Sequence, residues 1–266
     1  MSVRRATWAN GVFQMLKFGR LPRTYNPVVP HWSALKMGVP MIEVPTSCSY
    51  TNRLSAYLGS FLNDSLGDCA EAAYGHALQV WSAASGKPEL TEPNSAIEAL
   101  YETQGYVPGN PSTDNGTVLQ VLLARLVKGP VPVSIPKLLA FIEIDPTIPA
   151  DIDRATYECG LVYIGFNVPA FMEGLENPGD VWSNGAGGST RIVGGHCVVS
   201  PGYHPGVRDI ISWGYRYTMT NGFWSSYVDE AYALISEEWV EATGRTPLGM
   251  TVAQLEAQMA AIKLAA

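Results

Sequence analysis

Between Cys69 and Ser85 the chain reads "CAEAAYGHALQVWSAAS", and Ala70, Ala73, Tyr74, Ala77, Leu78, Trp81 and Ala84 recur at the spacing of one helix face. That period predicts a helix with a continuous apolar stripe, buried centrally and stopped at Gly86. Three further helical patterns stand nearby. They are "PNSAIEALYETQG", with Asn94 or Ser95 as cap and Gly105 as terminator, "STDNGTVLQVLLARLVKG", capped by Asp114 and ended by Gly129, and the short "PADIDRATYECG". The Pro-rich "GPVPVSIPK" interrupts the pattern and marks a crossing between halves. Beyond it, "LVYIGFNV", "HCVVSPGY", "VRDIISWG" and "DEAYALI" read as strands separated by Gly- and Pro-bearing turns. A last helix, "TVAQLEAQMAAIKLA", starts from Thr251. Helices first and strands later predict an α+β fold with two facing subdomains and a cleft between them. The expected divisions are an arm over residues 1–45, a helical half over about 46–130, a β-rich half over about 131–240, and a C-terminal helix in 241–266.

Charge sets the arm apart. The first 42 residues hold Arg4, Arg5, Lys17, Arg20, Arg23 and Lys36, six of the chain's 17 basic residues, and none of its 24 acidic ones. Such an arm can dock on its own acidic body, reach a protein partner, or drive self-assembly. Nucleic acid is disfavoured, because a net charge of −7 repels phosphate. The arm's "FGRLPRTYNPVVPHW" suits an extended strap better than a helix. No apolar run is long enough to span a membrane. "MSVRRATWAN" has no apolar signal core behind its arginines, so the expected location is the cytoplasm of a bacterial host or a virion. Cys48, Cys69, Cys159 and Cys197 lack C-x-x-C spacing. Free thiols are therefore expected, with no metal site and no cofactor.

Cys69 leads its helix, where unsatisfied N–H groups and the helix dipole favour thiolate. Gly67 allows a tight turn and a close substrate approach. Asp68, or Asp64 upstream, can cap the helix, although a carboxylate beside the sulfur by itself opposes thiolate. A nucleophilic thiol needs a base. His76 sits seven residues along the same helix, out of reach, and suits the core. His31 belongs to the arm and His204 to a turn. His196 follows "VGG" and opens a buried strand, where its nitrogens must be satisfied.

The combination of Asn63 six residues before Cys69, Gly195-His196 opening a strand, and Ser212-Trp213-Gly214 about 15 residues later resembles the papain-like cysteine peptidase fold. The resemblance covers residues 60–235 and is similar to divergent bacterial and phage members. It implies a Cys-bearing central helix packed against an antiparallel sheet carrying the His. It further implies Cys69 as nucleophile, His196 as general base, Asn63 in place of the oxyanion amide and Trp213 as the shielding ring, with a peptide or amide as substrate. Two departures stand out. The sequence is "GDCAE" rather than C-G-[SA]-C-[WY], and Ile211 stands where an orienting Asn is expected. Ser212 or Asp209 is the substitute orienter. Gly67, Asp68, Gly195 and Trp182 are the candidate substrate-binding residues. Trp182 lies in the Gly-rich loop 177–195, which would border the cleft as a lid. The expected function is a cysteine hydrolase. The alternative is a papain-like scaffold with weak or lost catalysis, serving as a structural or binding protein such as a virion component.

Overall fold

The computed structural model describes residues 4–7, 13–37, 43–132, 138–175, 177–184 and 187–265. In chain order the elements begin with strands β1 (Arg4–Thr7) and β2 (Phe13–Leu16), helix α1 (Trp32–Leu35) and strand β3 (Cys48–Ser49). Helices α2 (Cys69–Ala84), α3 (Asn94–Glu102) and α4 (Leu119–Lys128) form the helical half. Strand β4 (Leu138–Ile144), helix α5 (Pro149–Cys159), and strands β5 (Val162–Pro169), β6 (Val181–Trp182), β7 (Ile192–His204), β8 (Val207–Ser212) and β9 (Tyr215–Thr220) follow. Helix α6 (Asn221–Tyr227), strand β10 (Val228–Ser236), and helices α7 (Glu237–Thr243) and α8 (Val252–Ala265) complete the chain.

One eight-stranded sheet runs β4-β10-β5-β7-β8-β9-β6, with β3 pairing the far end of β7. All its pairings are antiparallel except β6 with β9. The fold is α+β as expected.

Helix α2 differs from its predicted form, because every residue from Cys69 to Ala83 is buried rather than one stripe. Its alanines and Gly75 explain this. With so little side chain on the back of the helix, neighbours close in on all sides, and a Cβ on Gly75 would come within 2.8 Å of the Phe61 ring. Trp81 anchors the far end by donating its indole N–H to the Cys159 carbonyl at 2.8 Å. Tyr163 on β5 donates to the Ala70 carbonyl at 2.6 Å, so the first turn of α2 is pinned to the sheet.

The arm docks on the chain's own body. Lys17 pairs with Asp114, Arg20 with Asp229 and Glu230, Arg23 with Glu143, and Lys36 with Asp151. Residues 21–26 form neither helix nor strand, while β1–β2 pair antiparallel and α1 forms one helical turn. Thr251 caps α8 as expected, accepting from the Gln254 N–H at 3.2 Å. Asp114 does not cap α4, whose N-cap position is Val118. It accepts instead from the Gly67 N–H and the Tyr101 hydroxyl, both at 2.8 Å, which joins the turn before Cys69 to the strap.

Candidate active site

The turn that delivers Cys69 is built from residues 59–68. Phe61 and Leu62 adopt left-handed backbone conformations, with φ of 54° and 71°, and Leu62 accepts from the N–H groups of Ser65 and Leu66. Cys69 then enters α2 at its N-terminal end, where a helix leaves its first N–H groups without intrahelical acceptors. The thiol lies against the backbone N–H groups of Gly19 and Cys197. Cys197 is the residue after His196 on β7, so the sulfur lies against the strand one residue past the histidine.

His196 is fully buried. Its Nε2 is 2.7 Å from the Ser212 hydroxyl, while its Nδ1 has no hydrogen-bond partner among the described residues. Trp213 stacks on the imidazole, with centroids 4.6 Å apart and planes inclined by 18°. Phe166 and Phe18 close the other sides edge-on, at 5.7 Å and 5.6 Å. Burial lowers the His196 pKa to about 3, assisted by the Arg20 charge. Burial raises the Cys69 thiol to about 12, with Glu71 and Asp68 adding to the rise against the two N–H groups. Thiol and imidazole are both neutral in this state.

The strap supplies that burial. The Arg20 N–H donates to the Gly195 carbonyl on the sheet side at 2.9 Å. On the helical side the Leu21 N–H donates to the Thr117 carbonyl at 2.9 Å, and the Thr117 N–H donates to the Gly19 carbonyl at 2.8 Å. Residues 19–21 therefore bridge the sheet and the helical half beside the Cys69 sulfur. Gly19 is required there. A Cβ on it would fall inside the van der Waals radius of the Gly67 carbonyl oxygen, and one on Gly116, whose φ is +82°, would strike the Gly19 carbonyl.

No family model matches the sequence, and no curated protein does. Solved structures match the fold. Xylellain, a cysteine protease from Xylella fastidiosa, superposes with a TM-score of 0.59 at 14% identity, over 82% of this chain and 95% of that one. Procathepsin B from Trypanosoma congolense gives 0.56 at 10% identity, over 83% and 86%. A cysteine protease from Carica candamarcensis in complex with E-64 gives 0.51 at 15% identity, over 72% and 99%. The fold is that of the papain-like cysteine peptidases.

Within this papain-like fold the expected residues divide into two groups. Cys69, His196, Trp213, Gly67 and Gly195 each meet strap residues 18–20, and Ser212 joins them through His196. Ser212, not Asp209, reaches the imidazole. Asp209 sits opposite Gly202 and engages Ser49 at 2.6 Å and His204 at 3.3 Å. Ile211 is buried and pairs with Val199 in the β7–β8 ladder. Asn63 is buried in the turn and donates its amide to the Leu66 carbonyl at 3.2 Å, with its remaining surface beside Asp68. Asp68 occupies the N-cap position of α2, but its side chain makes no capping bond, and burial next to Glu71 raises its pKa well above the carboxylate range.

Trp182 is a correction to the expected lid contact. It is fully buried, donates to the Leu175 carbonyl at 3.0 Å and packs on Phe166, Trp213 and Tyr217. Pairing of β6 with β9 draws it into the sheet's own aromatic cluster. His76 is core, bonded to Gln79 at 2.9 Å and lowered by burial to about 4. Sequence reasoning missed Phe18, Gly19 and Arg20 on the strap and Asn167, Asp229 and Glu230 on the body. The acid-free arm and the Asp229-Glu230 pair were the available signals.

Proposed function

We propose that the chain is a cysteine hydrolase of peptide or amide bonds, held latent by its own strap. The observation that carries this reading is the state of the imidazole. One ring nitrogen is held by Ser212, the other has no hydrogen-bond partner among the described residues, and the Cys69 thiol lies against the backbone N–H of the next residue, Cys197. With the tautomer in which Nε2–H donates to the Ser212 hydroxyl, the Nδ1 lone pair is left to take the thiol proton. Once the strap lifts, water reaches both groups and the Arg20 charge withdraws. Hydration favours both thiolate and imidazolium, and withdrawal of the Arg20 charge further favours the imidazolium.

The Cys69 sulfur then attacks the carbonyl carbon of the scissile bond. The carbon–nitrogen bond breaks as His196 gives its proton to the leaving amine, leaving a thioester on Cys69. Water, deprotonated by His196, hydrolyses the thioester and restores the thiol. The N–H groups opening α2, Cys69 among them, face the developing oxyanion. Asn63 joins them only by releasing the Leu66 carbonyl. Ser212 in place of an orienting amide supports a working but weaker pair.

The test uses the full chain with Gly19→Val, whose Cβ cannot coexist with the docked strap. A defined peptide mixture analysed by mass spectrometry should show new termini with this variant and far fewer with the parent. Cys69→Ala and His196→Ala in the same background should abolish them. A strap-opened protein that leaves every peptide intact would leave the scaffold reading in its place.

A further inference from the structure

The strap is anchored by one side chain more than by any other, and the anchor's socket belongs to the body. The Arg20 guanidinium is almost fully buried. It donates to both oxygens of Asp229 at 2.7 and 3.0 Å, to Glu230 Oε1 at 2.6 Å and to Asn167 Oδ1 at 3.1 Å. The acceptors are also tied to the body by bonds that do not involve Arg20. The Asn167 amide donates to Asp229 Oδ2 at 3.0 Å, and the Tyr232 hydroxyl donates to Glu230 Oε2 at 2.8 Å. Two glycines carve the channel. A Cβ on Gly165 would lie 2.6 Å from Arg20 Cδ, and one on Gly195 would lie 3.0 Å from Arg20 Nε. Glu230 is 1% exposed and is paired with Arg20.

We infer that this socket is a recognition site for the guanidinium of an arginine in a bound peptide, so the substrate class is arginine-containing peptides. The reading rests on the hydrolase proposal only in taking the strap to occupy ground that a substrate uses. Geometry favours guanidinium over ammonium. The acceptors on Asp229, Glu230 and Asn167 match the flat fork of donors on arginine, whereas a lysine reaches them as a single point charge. Position favours a role beside the chemistry. The residue that fills the socket also donates its backbone N–H to Gly195, next to His196. When the strap leaves, Asp229 and Glu230 stand as two carboxylates without their cation, and an incoming arginine restores the balance.

The experiment measures binding in the full chain carrying Gly19→Val and Cys69→Ala, which opens the groove and prevents turnover. The probes are the acetylated, amidated peptide Lys-Phe-Gly-Arg-Leu and the same peptide with citrulline, neutral and nearly isosteric, in place of arginine. The arginine peptide should bind about tenfold or more tightly than its citrulline partner, and Glu230→Gln should erase the difference. Equal affinities overturn the inference. The hydrolase reading fails separately. Peptide cleavage by Gly19→Val with no enrichment of arginine near the cut sinks the socket and spares the hydrolase, whereas arginine-selective binding without any cleavage does the reverse. Should Gly19→Val fail to fold, full-length Arg20→Ala offers the same socket empty. Methylguanidinium should raise its melting temperature and methylurea should not, and no difference between the two overturns the inference.

Discussion

Replacing Arg20 with alanine in the full chain removes the guanidinium from Glu230, a carboxylate that is 1% exposed and also accepts from the Tyr232 hydroxyl. Breaking a buried ion pair from one side costs about 3–5 kcal/mol, because the remaining charge is left in low dielectric. The Asp229 contribution is smaller, since its side chain is 39% exposed and screened, and adds at most about 1 kcal/mol. The strap can lift and rehydrate Glu230, so the loss appears as strap opening and not as global unfolding. A cost of about 3 kcal/mol raises the open population by about 10²-fold. Hydrogen exchange reads this directly at the Leu21 amide, which donates to Thr117. Its exchange should accelerate about 10²-fold in Arg20→Ala, while amides of Ile164 and Val198, paired across β5 and β7, should not change. Arg20→Lys should fall between, keeping charge but losing the fork. An unchanged Leu21 rate, or equal acceleration of the sheet amides, would refute the reasoning.

Three other expectations concern separate parts of the molecule. Burial raises the Glu71 carboxyl to about 8 against an ordinary 4.5, so the folded state binds more protons than the unfolded state between those pH values. Stability should therefore fall as pH rises through that window, and Glu71→Gln should flatten the decline in urea titrations, gaining about 1–3 kcal/mol above pH 8. Trp182→Ala should cost about 3–5 kcal/mol in urea unfolding as a core deletion, and a near-neutral stability with a changed KM would restore its role as a substrate contact. Ser212→Ala in the strap-opened chain should lower kcat about five- to tenfold by freeing the imidazole, with little change in stability, and an unaffected kcat would remove Ser212 from the site.

Much of the architecture could be read from periodicity. The stripe beginning at Ala70, the turn glycines, and the runs ahead of Gly160 and after His196 gave the right elements because local pattern and tertiary burial agree there. Strand β4 was not recognised. "LLAFIEI" follows a Pro-rich stretch and is buried along its whole length, so it shows no alternation to distinguish it from a helix segment. Of the candidate site, Cys69, His196, Ser212 and Trp213 could be proposed from their order and offsets, and Ser212 and Trp213 do meet the His196 ring. The misplacements of Trp182 and Asp209 share a cause. Each lies near the right place in sequence, but strand register, β6 on β9 and Gly202 opposite Asp209, turned the side chain elsewhere. The strap's position over Cys69 depends on pairings between residues about 100 to 200 apart, such as Arg20 with Thr117 and Glu230, which no local pattern encodes. The arm's unbalanced charge and the Asp229-Glu230 pair were the hints at them.

The account turns on a thiol made inert by a removable cover and activated by one imidazole. Its most direct test is the second-order rate of Cys69 alkylation by iodoacetamide at pH 7, followed by peptide mapping, in the parent, in Gly19→Val, and in Gly19→Val with His196→Ala. Lowering a thiol from about 12 toward 8.5 raises its thiolate fraction more than 10³-fold. Lower intrinsic nucleophilicity returns part of that gain, leaving about 10²-fold. The expected result is an increase of about that size at Cys69 alone in Gly19→Val, largely lost when His196 is removed. Rates that match those of Cys48, Cys159 and Cys197, or that ignore His196, would contradict it.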